Sequence, residues 1–140
     1  MIHGDFNVSN VLYDHVRQRI HFIDLHRSRD ADYIQDVSVF LLSNFRLPVF
    51  DADVRARLNR IMEDFFNYAR EFAQEHNDRT FEIRMAFALV RSFYTSTRFE
   101  LNFEFAREMF LRAHFLMEKI LHHAPQPWET FQLKSDILYM

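Results

Sequence analysis

The sequence predicts a mainly α chain of the α+β class: a β-hairpin near the N-terminus, followed by about four helices, in one domain. Three observations carry this. The hydrophobic period changes near residue 30, from short runs of branched and aromatic residues to stripes spaced three and four apart. Apolar residues make up 49% of 140, with 17 Phe among them, enough for a sizeable core and unlike the aromatic-poor composition of disordered chains. Gly4 is the only glycine, so no glycine interrupts the helical stretches.

The hairpin is expected from Val11-Leu12-Tyr13 and Ile20-His21-Phe22-Ile23, with strands near residues 10–14 and 19–24 and the polar segment Asp14 to Arg19 turning between them. The first helical stripe is Tyr33, Val37, Phe40 and Leu41, with Asp32 placed to cap it and Gln35 where a capping box has its return partner. Pro48 lies beyond its end. The second stripe is Val54, Leu58, Ile61, Phe65, Ala69 and Phe72; the third is Ala86, Val90, Phe93 and Thr97. The fourth is Phe103, Ala106, Phe110, Ala113, Met117 and Ile120, closed by Pro125 and Pro127. No element is assigned after Trp128.

Composition narrows the function. A net charge of −3 offers no broad basic field for nucleic acid or an anionic membrane. No run of about 18 apolar residues or secretory leader is present, so neither a membrane span nor export is expected. The absence of Cys excludes disulfides and thiolate metal sites and fits a reducing compartment, so a cytoplasmic location is expected. His122 and His123 face different sides of a helix, and His21 and His26 fall on different elements, which argues against a zinc site.

The segment richest in chemistry is His3-Gly4-Asp5-Phe6-Asn7-Val8-Ser9-Asn10-Val11-Leu12-Tyr13-Asp14, with Phe22-Ile23-Asp24 after it. Asn10 begins the first strand and Asp24 closes the second, so the hairpin should bring them together at one end. One carboxylate and one amide oxygen suit Mg²⁺, which takes hard oxygen donors along with waters and phosphates. Asp5, five residues before Asn10, can reach a substrate hydroxyl beside that metal. An Asp for the acceptor and an Asn and an Asp for the metal make the smallest set of groups that phosphoryl transfer needs.

The spacing H-G-D-x-x-x-x-N followed by I-D resembles the aminoglycoside phosphotransferase and choline kinase-like family, which shares the protein-kinase fold. The resemblance covers residues 3 to about 42. It implies the C-terminal catalytic lobe of a small-molecule kinase that passes the γ-phosphoryl of ATP, held with Mg²⁺, to a hydroxyl of a small molecule. It implies Asp5 as the catalytic Asp, Asn10 and Asp24 as metal ligands, and His3 and Asp36 as supports of the catalytic loop. Asn7, Val8 and Ser9 stand where the family often has His, Pro and Gly.

The family's nucleotide-binding lobe would precede His3. Met1 sits two residues before the motif, so that lobe is expected to be missing or to come from a separate chain, and the chain is expected to be inactive alone. The face meeting that lobe would then be exposed, with self-association following if it is apolar. The other reading is a non-catalytic helical binding module derived from a truncated kinase-like protein. No motif identifies the acceptor. Glu100 and Glu104 are spaced to share a helix face, for a cationic substrate or simply as a solvated acidic face, and Arg27 and Arg29 are placed for phosphate or for surface ion pairs.

Overall fold

A computed structural model describes residues 1–139. Its elements, in chain order, are strands β1 (Val11–Asp14) and β2 (Arg19–Phe22), then helices α1 (Ile34–Phe45), α2 (Ala52–Glu75), α3 (Phe81–Thr97) and α4 (Phe103–His123). The chain is therefore mainly helical with one small antiparallel sheet, as the change of period at residue 30 predicts. No described helix is long and apolar enough to cross a membrane.

The hairpin pairs Val11 with Phe22 and Asp14 with Arg19. Its turn is made without glycine: the Asp14 carboxylate accepts the N–H groups of Val16 and Arg17, both at 3.0 Å, and Gln18 takes the left-handed conformation at φ 50°. Most hairpin side chains stay exposed, including Leu12, Tyr13, Ile20 and Phe22.

The core lies among the helices, where Phe45, Phe66, Phe93, Met62, Met85, Leu89 and Met109 are almost wholly buried. α1 and α3 approach through small residues, with the Ser92 hydroxyl donating to that of Ser38 at 3.2 Å inside the core. The third stripe is placed as its spacing predicts, with Ala86, Val90 and Phe93 buried. The second is out of phase. α2 buries Arg55, Met62, Phe66, Ala69 and Ala73, while Val54, Ile61 and Phe72 are exposed. Phe65 lies between, against Phe40 and Phe6. In α4 the fully buried line is Met109, Ala113, Leu116 and Ile120, with Phe103 and Phe110 outside.

Arg55 explains how α2 can turn a cation inward. Its guanidinium donates to the carbonyls of Asn44, Phe45, Leu47 and Val49, at the C-terminal end of α1 and in the loop after it. Those carbonyls lie beyond the reach of the regular i+4 helical bonds, and the negative end of the α1 dipole favours a cation there.

The segment after α4 also belongs to the core. Phe131, Leu133, Ile137 and Leu138 are buried. The Leu133 N–H donates to Glu82, its carbonyl accepts from Arg70, and the Ile137 carbonyl accepts from Arg112. Short 3₁₀ turns and side-chain clamps carry no hydrophobic period, which is why the sequence does not reveal them.

Candidate active site

The loop His3 to Asn10 is held from three directions. Ile2 and Arg29 exchange backbone hydrogen bonds at 2.8 and 3.3 Å, so the start of the chain pairs with the segment after Asp24. From α1, the Asp36 carboxylate accepts the N–H of His3 at 2.6 Å and of Gly4 at 3.0 Å. Gln35 donates its side-chain amide to the Gly4 carbonyl at 3.1 Å, so it braces this loop instead of closing a capping box. The expected Asp32 cap is not formed: Tyr33 stands at the N-cap of α1 without a side-chain cap, and the Asp32 carboxylate accepts the Ile34 N–H in a local turn just before it. Asp36 is half-buried rather than fully buried as its place in an apolar stripe suggests.

Gly4 is dictated by geometry. Its φ is +84°, and a Cβ there would stand 2.2 Å from the carbonyl oxygen of Arg27. His3 joins the two halves of the site. Its Nδ1 takes the Asp5 N–H at 3.3 Å and its Nε2 faces the Ile23 carbonyl at 2.9 Å, so the network assigns the proton of a neutral ring to Nε2. The imidazole thereby ties the residue after Gly4 to the residue before Asp24.

Asp5 projects from this loop, partly exposed. Its carboxylate meets Arg27 at 3.2 Å and the Asn7 amide at 3.3 Å. Ser9 costs the loop nothing by replacing a glycine, because the only non-glycine residues at positive φ are Gln18, Asp24 and Asn77 among those described. Asn7 instead caps the 3₁₀ turn Val8–Asn10, its Oδ1 accepting the Ser9 N–H at 3.0 Å. From α1, Ser43 accepts the Val8 N–H at 2.9 Å.

Asn10 is buried at 7% exposure, with its side-chain NH₂ donated to the Asp5 carbonyl at 2.9 Å. That bond fixes which way the amide faces and leaves its Oδ1 without a donor among the described residues. The Asn10 carbonyl accepts the Ile23 N–H at 3.1 Å, so Asp24 follows directly on a residue bonded to Asn10. Asp24 does not close β2, which ends at Phe22. It lies two residues on, left-handed at φ 61° and ψ 46°, where it opens the 3₁₀ turn Leu25–Arg27. Such a conformation costs a non-glycine residue of order 1 kcal/mol or more and is concentrated at functional sites. Its carboxylate reaches His26 Nδ1 at 2.6 Å through one oxygen, and the second oxygen has no partner among the described residues.

No family model, curated protein or solved structure matches this chain.

The donor chemistry fits Mg²⁺. A carboxylate oxygen of Asp24 and the Oδ1 of Asn10 are hard donors without competing hydrogen bonds, and two protein ligands are what a cation completed by water and phosphate requires. Among the described residues no cluster of three or more His, Cys, Asp or Glu forms an all-protein cage.

A cleft of about 420 Å³ opens beside Asp5 between the loop, α1 and α3, lined also by Ser43, Arg46, Arg91, Thr95 and Phe99. The sequence does not single out Arg46, Arg91 or Thr95, because only the packing of α1 on α3 puts them together. The acidic pair considered for a cationic substrate does not form. Glu100 lies in the loop between α3 and α4 and binds the Asn102 N–H, whereas Glu104 is in the first turn of α4, 3.7 Å from Arg107. Arg29 donates to the Gln35 amide and does not line the cleft beside Asp5.

Proposed function

We propose that this chain is the catalytic lobe of an ATP-dependent small-molecule phosphotransferase resembling the aminoglycoside phosphotransferase and choline kinase-like family. The observation that supports it most is the convergence of Asp5, Asn10 and Asp24 through one hydrogen-bonded frame: Asn10 holds the Asp5 carbonyl, His3 joins Asp5 to Ile23, and Ile23 pairs with Asn10.

In this reading Asp5 accepts the proton of an acceptor hydroxyl lying in the cleft, or orients that hydroxyl toward the γ-phosphoryl of ATP. Asn7 and Arg27 position the Asp5 carboxylate. Asn10 and Asp24 offer their free oxygens to Mg²⁺, which when bound neutralises phosphate charge. The work of such a site is positioning and electrostatic stabilisation, since phosphoryl transfer needs little covalent chemistry from the protein. A nucleotide-binding lobe would cover exposed apolar side chains of the hairpin such as Tyr13 and Ile20, which pair across the two strands on one face.

A second reading, a non-catalytic helical binding module, draws on one observation: the Asp5 carboxylate is already paired with Arg27. Calorimetric titration with ATP separates the two. Phosphotransfer predicts Mg²⁺-dependent ATP binding that Asp24→Asn weakens about tenfold and that Asp5→Asn leaves nearly unchanged. Binding indifferent to Mg²⁺ and to Asp24, or no binding at all, favours the module.

A further inference from the structure

We propose that the cleft beside Asp5 takes an anionic, hydroxyl-bearing small molecule, such as a phosphorylated or carboxylated polyol, rather than a cationic amine. This rests on the phosphotransferase reading for the role of Asp5, but the charge preference follows from the cleft itself.

The arginines withdrawn from solvent are Arg46, Arg55, Arg70, Arg84 and Arg112. Arg70 pairs with Glu82, Arg84 with Asp32 and Asp78, and Arg112 with Glu108. Arg55 is satisfied by four backbone carbonyls. Arg46 alone has neither a carboxylate within 4.0 Å nor a side-chain hydrogen bond among the described residues, and its Nε is shut from water without a partner. A half-buried guanidinium without a counter-charge is costly, and an anion bound in the cleft that Arg46 lines would lower that cost through its charge. The pull of the α1 C-terminus does not account for it, because Arg55 already occupies the last carbonyls of that helix.

Arg91 lines the same cleft from α3, also without an ion pair among the described residues. Asp5 is the one acidic side chain in the lining, and Arg27 answers its charge from the other side. Glu100 lines a neighbouring cavity with Arg46 but makes no ion pair with it. The cleft thus presents two free guanidinium groups, which match carboxylate and phosphate oxygens. Ser43, Thr95 and Ser96 add hydroxyls suited to a polyol, and about 420 Å³ lies within the ordinary range for a small-ligand site.

The test is titration of the ¹⁵N-labelled chain, without Mg²⁺ or nucleotide, with glycerol 3-phosphate, inorganic phosphate, glycerol and choline. Glycerol 3-phosphate is expected to shift amides around Ser43 to Arg46 and Arg91 to Ser96. Its affinity should exceed that of phosphate, and glycerol and choline should not bind. Arg46→Gln and Arg91→Gln should each weaken it about tenfold or more, and added salt should weaken it further. Arg91 is exposed, so its variant reports even if Arg46→Gln fails to fold. Preference for choline, equal binding of phosphate alone, or unchanged affinity in a folded Arg91→Gln chain would overturn the proposal. So would Mg²⁺-free ATP displacing glycerol 3-phosphate, which would assign the arginines to nucleotide phosphates. Because no metal or nucleotide enters the main titration, its failure would leave the Mg²⁺-dependent ATP result standing, and the converse also holds.

Discussion

The Asp36 carboxylate accepts the backbone N–H of His3 at 2.6 Å, across 33 residues of sequence, and so ties the first helix to the loop that carries Asp5. A second bond, from the Gly4 N–H, makes the grip bidentate. Hydrogen bonds to a charged acceptor contribute more than neutral ones, so Asp36→Ala is expected to lower stability by about 2–4 kcal/mol. Urea denaturation measures the loss. Hydrogen exchange at His3 and Gly4 should quicken more than exchange in α3, and equal acceleration throughout would show that Asp36 does not act on the loop.

Gly4→Ala should be as damaging for a different reason. The added Cβ would meet the Arg27 carbonyl at 2.2 Å, at a φ of +84° that alanine rarely adopts. Strain of about 1–3 kcal/mol is expected from the backbone alone, and the segment containing Arg27 must shift. Thermal unfolding of the variant should show a clear drop, with amide shifts at Arg27 and Asp5. A variant as stable as the parent would contradict the tight approach.

These two positions show what the sequence made legible. The spacing of His3, Gly4, Asp5, Asn10 and Asp24 is local, so a hairpin and a short loop suffice to bring the residues near one another. The helix number was legible too, because four stripes are separated by loops and prolines. The face of α2 was not. The large residues Ile61 and Phe72 suggested the inner side, but Met62, Phe66 and Ala73 occupy it, with Ala69 the one member of the stripe fully buried, and Arg55 is buried by carbonyls that no periodicity announces. Gln35 stands three residues after Asp32, but α1 starts one residue too late for that pair to form a capping box, and the Gly4 carbonyl takes its amide instead. Arg46 and Arg91 meet only when two helices pack.

Tyr33 gives a pH-dependent check on how α1 docks. Its hydroxyl donates to Asp78 at 2.7 Å, and Asp78 is also paired with Arg84. Burial, then the hydrogen bond to Asp78 and the charge of that carboxylate, push the phenol well above its ordinary pKa. A raised pKa in the folded state means that the contribution is complete below about pH 10, the unfolded value, and is lost as pH rises beyond it. The parent should therefore lose stability between about pH 10 and 11 faster than Tyr33→Phe. Parallel pH profiles would show that Tyr33 contributes nothing there.

A further expectation concerns turnover. Gly4 is the only glycine, and the lysines are Lys119 and Lys134, so these residues offer neither a glycine-rich phosphate loop nor a lysine on an early strand. Water would reach the phosphates and weaken the interactions there. The chain alone is expected to show no robust phosphotransfer to a panel of polyols, sugars, amino-alcohols and aminoglycosides. Sustained turnover by the monomer that disappears in Asp5→Asn would overturn that expectation while supporting the role of Asp5.

The central claim is that Asn10 and Asp24 form a metal–nucleotide site next to Asp5. Paramagnetic relaxation tests it most directly, with Mn²⁺ in place of Mg²⁺ and ATP titrated into the ¹⁵N-labelled chain. Amides of Asp5, Asn10 and Ile23 to Leu25 are expected to broaden first, and Asp24→Asn to abolish the effect while leaving the remaining spectrum intact. Broadening centred instead on the acidic turn of α4 at Glu104 and Glu108, or broadening that persists in Asp24→Asn, would contradict it.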